Sequence, residues 1–217
     1  GVTGPDGASH HGMWDGSILQ IVPGMKVAVP RDGTRLVELL RECVAVSDGP
    51  TALRFPGKST QADIASIGNV GTMDILAEPA DRLNADVLLV AAGPMAAAAV
   101  EVADRLAGQG IGVTVVDPRW VKPLDEALLG AAAKHRLVAT IEDNGMVGGF
   151  GDAVARLLRE AESRVPVRTF GLPQSFLAHG ERTEILHDAG LSPQNLALLI
   201  TAAVARLDSD LVPGHQS

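Results

Sequence analysis

Cysteine, aromatic residues and positive charge are all scarce in this sequence. A single cysteine, Cys43, stands among 217 residues, so neither an intrachain disulfide nor a cysteine-rich metal site can form. Tyrosine is absent and aromatic residues make up 3% of the chain, although 46% of the residues are hydrophobic. The core must therefore consist of Ala, Val, Leu and Ile, which favours an α/β fold with buried aliphatic strands and Ala-rich helices.

The shortage of positive charge limits the classes of partner. The formal net charge is −8, whereas nucleic acids and anionic membranes both attract basic surfaces, so we expect neither as a partner. No apolar run reaches the ~18 residues that a transmembrane helix needs, and the first residues do not resemble a secretory signal peptide. Together with the single cysteine, these absences favour a cytoplasmic protein.

The most informative segment is residues 4–15, GPDGASHHGMWD. Glycine-containing turns flank Asp6 and His10, and hardly any apolar residue precedes Met13, so we expect an exposed loop. A carboxylate and imidazoles in one loop can bind a polar substrate and transfer protons, and glycine lets the backbone approach a ligand closely. Since this motif lies four residues from the first residue and the sequence has no initiating Met, we expect the C-terminal part of a longer protein.

Two regions of alternating strands and helices are separated by a polar segment. Residues 1–60 end with a strand, a helix and a strand, as at the end of a βαβ unit. Residues 61–85 are rich in Gly, Asn, Asp and Pro, and we interpret them as a linker with a small hairpin. Residues 86–207 alternate aliphatic strands with helices, which predicts a mostly parallel, three-layer α/β sheet. Residues 208–217 are polar and are expected to form a flexible tail.

The predicted elements have definite bounds. In the first region they are a strand at 26–29, a helix at 31–46 and a strand at 51–55, and in the linker they are strands at 63–67 and 72–76. In the second region the strands are predicted at 87–90, 113–116, 137–141 and 167–170, and the helices at 95–106, 125–134, 152–161, 181–188 and 192–207.

Two segments resemble one family of enzymes. Residues 4–15 match the pattern G-x-D-G-x-x-H-x-G-x-x-D, and residues 116–125, VDPRWVKPLD, match V-D-x-R-[FW]-[VI]-K-P-[LI]-D. Both patterns resemble the 1-deoxy-D-xylulose-5-phosphate synthases, which are thiamine-diphosphate-dependent and transketolase-like. The resemblance implies that residues 1–60 end a pyrimidine-binding domain and that residues 86–207 form a transketolase C-terminal domain. From the residues alone, the second segment is a strand-to-helix turn whose charges cap helices or make interface pairs.

The resemblance also implies a reaction and its catalytic residues. Synthases of this family condense pyruvate with glyceraldehyde 3-phosphate and release carbon dioxide, in the biosynthesis of isoprenoids and thiamine. The Asp and the His of the first motif contact the acceptor substrate in that family, and they correspond to Asp6 and His10. His11 occupies a position where the family often has Asn or Gln, so we do not expect it to be catalytic.

A third segment, Arg54-Phe55-Pro56-Gly57-Lys58, departs from the family pattern R-[FY]-P-[RK]-G. The basic residue after the proline helps to bind the substrate phosphate in that family, whereas Gly57 stands there in this chain and Lys58 follows it. We therefore expect Arg54 and Lys58 to bind substrate, with two alternatives for the phosphate. Either Lys58 reaches the phosphate, or phosphate binding is weakened. Lys supplies a point charge but cannot form the bidentate contact of Arg.

The expected cofactors, thiamine diphosphate and Mg²⁺, belong to the full-length protein. The chain has no diphosphate–Mg²⁺ motif, so we expect it to bind neither cofactor alone and to be inactive by itself. The expected partners are the N-terminal, cofactor-binding part of the same protein and a second copy in a homodimer. Two alternatives stay open, namely another transketolase-like enzyme such as the β subunit of a 2-oxo acid dehydrogenase, and a non-catalytic dimerisation or regulatory module.

Other polar features are weaker indications of function. The glycine-rich segment 145–151 lacks the Lys-Ser/Thr pair of a nucleotide-binding loop, although an anion could bind at the N-terminus of the helix that follows. The remaining histidines, His135, His179, His187 and His215, lack the spacing of paired metal ligands, so no metal site is predicted.

Overall fold

Two β-sheets organise the part of the chain that the structure, a computed structural model, describes: residues 1–57, 61–80 and 83–211. The strands are β1 Lys26–Ala28, β2 Thr51–Leu53, β3 Gly68–Val70, β4 Met73–Ala77, β5 Val87–Ala91, β6 Val113–Asp117, β7 Trp120–Lys122, β8 Leu137–Gly145 and β9 Val167–Leu172. The helices are α1 Asp15–Ile21, α2 Gly33–Ala45, α3 Ala96–Ala107, α4 Ala127–Ala132, α5 Phe150–Glu160, α6 Arg182–Asp188 and α7 Pro193–Leu211. Among these described helices, none combines the length and the apolar character needed to cross a membrane.

The larger sheet has the strand order β3-β4-β6-β5-β8-β9, in which β6, β5, β8 and β9 are parallel. Every residue of the central strand β5 is buried, and its side chains alternate between two hydrophobic clusters. Leu89 packs on the side of α3 and α7, while Leu88 and Val90 pack on the side of α4 and α5. Helices therefore cover both faces, and the prediction of a mostly parallel three-layer sheet is confirmed.

The hairpin of the polar segment forms one edge of this sheet, because β4 pairs antiparallel with β6. Its tight turn centres on Gly71, whose φ of 60° is accessible to glycine without steric cost, and the register pairs Val70 with Met73. The prediction of a first strand at 63–67 is wrong, since β3 begins at Gly68. Asp63 and Ile64 instead hydrogen-bond residues at the start of α2 and just before it.

The smaller sheet has the order β2-β1-β7 and combines both regions of the chain. β1 and β2 are parallel and are connected through α2, as the predicted βαβ unit requires. β7 lies antiparallel to β1, and Val29 N–H donates a 2.8 Å hydrogen bond to the carbonyl oxygen of Arg119 beside it. The backbone of the two regions is therefore joined by hydrogen bonds.

A buried cluster of charges strengthens this junction. Arg31 Nη1 donates to Asp74 at 2.5 Å and to Asp117 at 2.7 Å, and all three side chains are buried. Arg31 precedes α2, Asp74 lies on β4 and Asp117 ends β6, so three parts of the fold meet in one ion cluster. Burial raises the pKa of Asp117 to about 6, although the Arg31 guanidinium opposes this rise.

The turn after β6 also contributes to this junction. Lys122 Nζ donates to the carbonyl oxygens of Leu19, Gln20 and Val22, at 3.2, 2.7 and 2.6 Å, and so caps the C-terminal end of α1. Asp125 Oδ2 accepts hydrogen bonds from the backbone N–H and the hydroxyl of Thr72, each at 2.6 Å. The charges of segment 116–125 therefore cap and join elements, as the residues alone predict.

Candidate active site

The segment with Asp6 and His10 forms an exposed turn, as predicted. Gly4 and Gly7 adopt φ angles of 97° and 72°, and the N–H groups of His10 and His11 both donate to the carbonyl oxygen of Gly7, at 3.0 and 3.2 Å. The side chains of Asp6 and His10 are exposed. Ser9 Oγ lies 3.0 Å from His10 Nδ1, and within the described part of the chain Nε2 of His10 has no hydrogen-bond partner. That nitrogen is therefore free to meet a ligand.

The start of this turn is fixed to the C-terminal ends of the parallel strands. Asp143, near the end of β8, accepts the backbone N–H of Val2 at 3.0 Å, and Arg182 donates to the carbonyl oxygen of Val2 at 2.6 Å. Arg182 and Asp143 also form an ion pair of 2.7 Å, in which the carboxylate is 2% exposed. Both backbone polar groups of Val2 are therefore bonded to an ion pair whose carboxylate is buried.

His11 connects the turn to the segment after β9. Its imidazole is 4% exposed, Nδ1 accepts the backbone N–H of Thr3 at 3.1 Å, and Nε2 lies 3.2 Å from the carbonyl oxygen of Ala178. Because Nδ1 accepts here, these contacts assign the proton to Nε2, which donates to Ala178. The burial agrees with the expectation that His11 does not act on substrate.

Arg54 lies beside the turn of Asp6 and His10, and its guanidinium is bonded to other residues of the protein. Its guanidinium donates to both carboxylate oxygens of Asp15 at 3.0 Å, to Gly12 O at 3.1 Å and to Asp143 O at 2.7 Å. Burial disfavours the charged form of Asp15, but the contact with Arg54 outweighs it and lowers the pKa of that carboxyl. These bonds hold the far end of the turn, at Gly12 and Asp15, against β8.

Lys58 lies outside the described residues, but its neighbours border a cavity of about 300 Å³. The cavity is lined by Pro30, Arg31, Asp32, Leu36, Phe55, Pro56, Gly57, Gln61 and Pro94. Among the described residues, none has an atom within 4 Å of a Cβ placed at Gly57.

At the end of the glycine-rich segment, the carboxylate of Glu142 binds the N-terminal end of α5. Glu142 accepts the N–H groups of Phe150 and Gly151, each at 2.8 Å, at the N-terminal end of α5. These are the groups that would bind an anion at this helix, so the structure gives no support for a phosphate site there. Burial raises the pKa of Glu142 to about 7, against the lowering effect of those two N–H groups.

Sequence reasoning missed the residues that hold the turn, above all Asp143, Asn144 and Arg182. Asn144 Oδ1 accepts Gly16 N–H at 3.1 Å, and its amide donates to Ser17 Oγ at 3.0 Å, which fixes the start of α1. The signal for Asp143 and Asn144 was the polar run Glu142-Asp143-Asn144 near the C-terminal end of the buried strand β8, because ligands and loops of α/β folds gather at that end of the strands.

Comparison with known protein families assigns both regions of the chain. The family model described as the transketolase C-terminal domain matches residues 78–196, and the model of the transketolase pyrimidine binding domain matches residues 1–61. The chain belongs to the transketolase family. The predicted succession of a pyrimidine-binding region and a transketolase C-terminal domain is thereby confirmed.

Curated relatives show which members of the family this chain is similar to. A 1-deoxy-D-xylulose-5-phosphate synthase of Thermobifida fusca is 58% identical over 207 residues, which cover 95% of this chain and 32% of the relative. The synthase of Mycobacterium tuberculosis strain H37Ra is 54% identical over 220 residues, with coverages of 99% and 34%. These identities confirm the predicted resemblance, and the chain spans about a third of the length of the curated relatives it matches.

Solved structures agree with the fold. A chain described as a split gene transketolase, an inactive β4 tetramer, superposes with a TM-score of 0.75 at 30% identity and covers 91% of this chain and 63% of its own. Transketolase from Campylobacter jejuni superposes with a TM-score of 0.72 at 20% identity, covering 92% of this chain and 29% of its own, and this likeness concerns the fold alone.

Proposed function

We propose that this chain supplies the acceptor-binding side of a 1-deoxy-D-xylulose-5-phosphate synthase. The parent protein, meaning the full-length protein that contains this chain, would condense pyruvate with glyceraldehyde 3-phosphate and release carbon dioxide. The observation that carries the proposal is the exposed pair Asp6 and His10 on a turn that buried residues hold at both ends. The names of the relatives support the same reaction.

His10 and Asp6 would act on the acceptor aldehyde. His10 Nε2 would donate a hydrogen bond to the aldehyde oxygen and stabilise the negative charge that develops there as the new carbon–carbon bond forms. Ser9 Oγ lies 3.0 Å from Nδ1 and orients the ring. Asp6 would orient a substrate hydroxyl or the imidazole of His10.

The phosphate of the acceptor would bind near the segment after β2. Gly57 borders the cavity of about 300 Å³, and Lys58 next to it would supply the positive charge. Direct contact of Arg54 with the phosphate stays a prediction. In the structure its guanidinium bonds Asp15, Gly12 and Asp143, which supports a role in holding the site together.

Thiamine diphosphate, when bound, would supply the nucleophilic carbon that decarboxylates pyruvate. Among the described residues, no group of three or more His, Cys, Asp or Glu side chains is arranged to hold a metal ion. We propose that the Mg²⁺–diphosphate site lies in the part of the parent protein that corresponds to the other two thirds of the relatives.

A homodimer is part of the proposal. The structural relative of 30% identity is described as a β4 tetramer, which supports association of this chain with a second copy. The cytoplasm is the proposed location, on the grounds of composition given above.

The test is the reaction of the purified parent protein. Carbon dioxide release from pyruvate and formation of 1-deoxy-D-xylulose 5-phosphate are measured with and without glyceraldehyde 3-phosphate. Formation of the product only when both substrates are present would support the proposal. Decarboxylation that proceeds equally without the aldehyde, with no condensation product, would favour the 2-oxo acid dehydrogenase alternative, and no turnover of pyruvate at all would favour a non-catalytic module.

A further inference from the structure

We propose that His11 is a positioning residue, which presents His10 to the acceptor by fixing the turn to residues 173–181 of the C-terminal domain. The inference rests on the proposed role of His10. It assigns a function to a histidine that sequence reasoning leaves without one.

His11 joins its own turn to a segment that is 167 residues away in the chain. Nδ1 accepts from Thr3 N–H at 3.1 Å, Nε2 donates to Ala178 O at 3.2 Å, and the backbone N–H of His11 donates to Gly7 O at 3.2 Å. Both ring nitrogens are thus occupied by backbone groups in a buried position, 4% exposed. A side chain in this environment fixes geometry and does not meet substrate.

The same backbone oxygen links His11 to its catalytic neighbour. Gly7 O accepts the N–H groups of both His10 and His11, so the position of one residue in the turn sets the position of the other. A shift of His11 away from Ala178 would therefore move the ring of His10 with it. A displacement of about 1 Å at a reacting group can lower a rate by about 100-fold.

Residues 173–181 form a matching surface under the turn. Gly180 N–H donates to Gly4 O at 3.4 Å, and a Cβ atom at Gly7 would lie 3.3 Å from Cβ of His179. Gly7 also has a φ of 72°, which an L side chain rarely adopts. The turn and the C-terminal domain therefore approach each other closely on both sides of His11.

Substitution of His11 by Asn or by Gln tests its two ring contacts one at a time. In Asn the oxygen Oδ1 takes the place of Nδ1, so His11→Asn keeps the acceptor for Thr3 N–H. In Gln the nitrogen Nε2 takes the place of the imidazole Nε2, so His11→Gln keeps the donor to Ala178. His11→Leu keeps neither contact. His187→Leu is the matched control, because the side chain of His187 is 73% exposed and lies on α6.

The experiment measures steady-state kinetics of the parent protein for both substrates, together with hydrogen–deuterium exchange of residues 4–11. We expect His11→Leu to lower kcat/KM for glyceraldehyde 3-phosphate by roughly 10- to 100-fold while the KM for pyruvate changes less than about twofold. His11→Asn and His11→Gln should each recover part of the loss. Exchange of residues 4–11 should rise most in His11→Leu, and His187→Leu should match the unmodified protein.

Several outcomes would overturn the inference. Unchanged kinetics for His11→Leu would do so, as would a uniform fall in kcat with both KM values unchanged, because that pattern indicates loss of folded protein only. If His10→Ala leaves the aldehyde kinetics unchanged while His11→Leu still raises exchange of residues 4–11, the proposed role of His10 is wrong and the anchoring by His11 stands. If His10→Ala is damaging and His11→Leu changes neither exchange nor kinetics, the proposed function stands and the positioning role is wrong.

Discussion

Arg54 and Asp15 form a two-point ion pair, with Nε–Oδ2 and Nη2–Oδ1 distances of 3.0 Å each. The pair connects the end of the first βαβ unit to the start of α1, directly after the turn of Asp6 and His10. The side chain of Arg54 is 12% exposed and that of Asp15 is 45% exposed, so the protein shields the guanidinium more than the carboxylate. The planar guanidinium also bonds Gly12 O and Asp143 O, which a point charge could not do from the same position.

The first prediction concerns this pair. Arg54→Lys keeps the charge but loses the two-point contact and at least one carbonyl contact. Hydrogen bonds to charged groups contribute about 1.5–3 kcal/mol, so we expect the free energy of unfolding to fall by an amount of that order. Urea unfolding of the two proteins measures it. Arg156→Lys is the matched control, because the Arg156–Glu160 pair is exposed on α5 and its loss should have little effect.

The second prediction concerns the pH dependence of stability through Glu142. Burial raises the pKa of this carboxyl from 4.5 to about 7, so between these values the folded chain binds more protons than the unfolded chain. The contribution of Glu142 to stability is therefore fully present below pH 4.5 and is lost as the pH rises through about 7. Its slope is at most about 1.4 kcal/mol per pH unit.

The variant Glu142→Gln tests whether the contribution of Glu142 to stability falls or rises with pH. The difference in the free energy of unfolding, unmodified chain minus variant, should fall as the pH rises across that window and should level off above it. Asp117, whose pKa is also raised to about 6, titrates in both proteins and cancels in the difference. A difference that rises with pH would show that Glu142 is stabilised as the carboxylate by the N-terminal end of α5.

The sequence predicts most of the larger sheet, since buried parallel strands such as β5 are continuous aliphatic runs between glycine- and aspartate-rich turns. It does not predict α1, which has seven residues and no side-chain N-cap. That helix depends on Lys122 at one end and Asn144 at the other, and these contacts span 103 and 128 residues of the chain. β7 escapes prediction for a similar reason, because its pairing with β1 is a long-range contact.

In the candidate site, too, the sequence predicts the local features and not the long-range contacts. Asp6 and His10 are recognisable because a local motif carries them. Asp143, Arg182 and the contacts of His11 are not recognisable, because they depend on which strand end lies beside the turn. Arg54 was identified as a site residue, but four hydrogen bonds inside the protein could not be foreseen from one basic residue at a strand end.

The third prediction tests the departure from the family pattern at Gly57. Among the described residues, no atom lies within 4 Å of a Cβ placed there, so a substitution meets no obstacle at its first side-chain atom. Gly57→Arg should lower the KM of the parent protein for glyceraldehyde 3-phosphate, since Arg binds phosphate with a bidentate contact. Gly57→Glu at the same position is the charge-reversed control and should raise that KM. Equal KM values in both variants would place the phosphate elsewhere.

The central claim is that His10 acts on the acceptor, and kcat/KM for glyceraldehyde 3-phosphate in His10→Ala tests it most directly. A hydrogen bond to a developing charge contributes ~1.5–3 kcal/mol, which corresponds to a roughly 10- to 150-fold loss. We expect a loss of this size in the parent protein, a pyruvate KM close to that of the unmodified enzyme, and no effect of the exposed-histidine control His187→Ala. Kinetics of His10→Ala that equal those of His187→Ala would contradict the account.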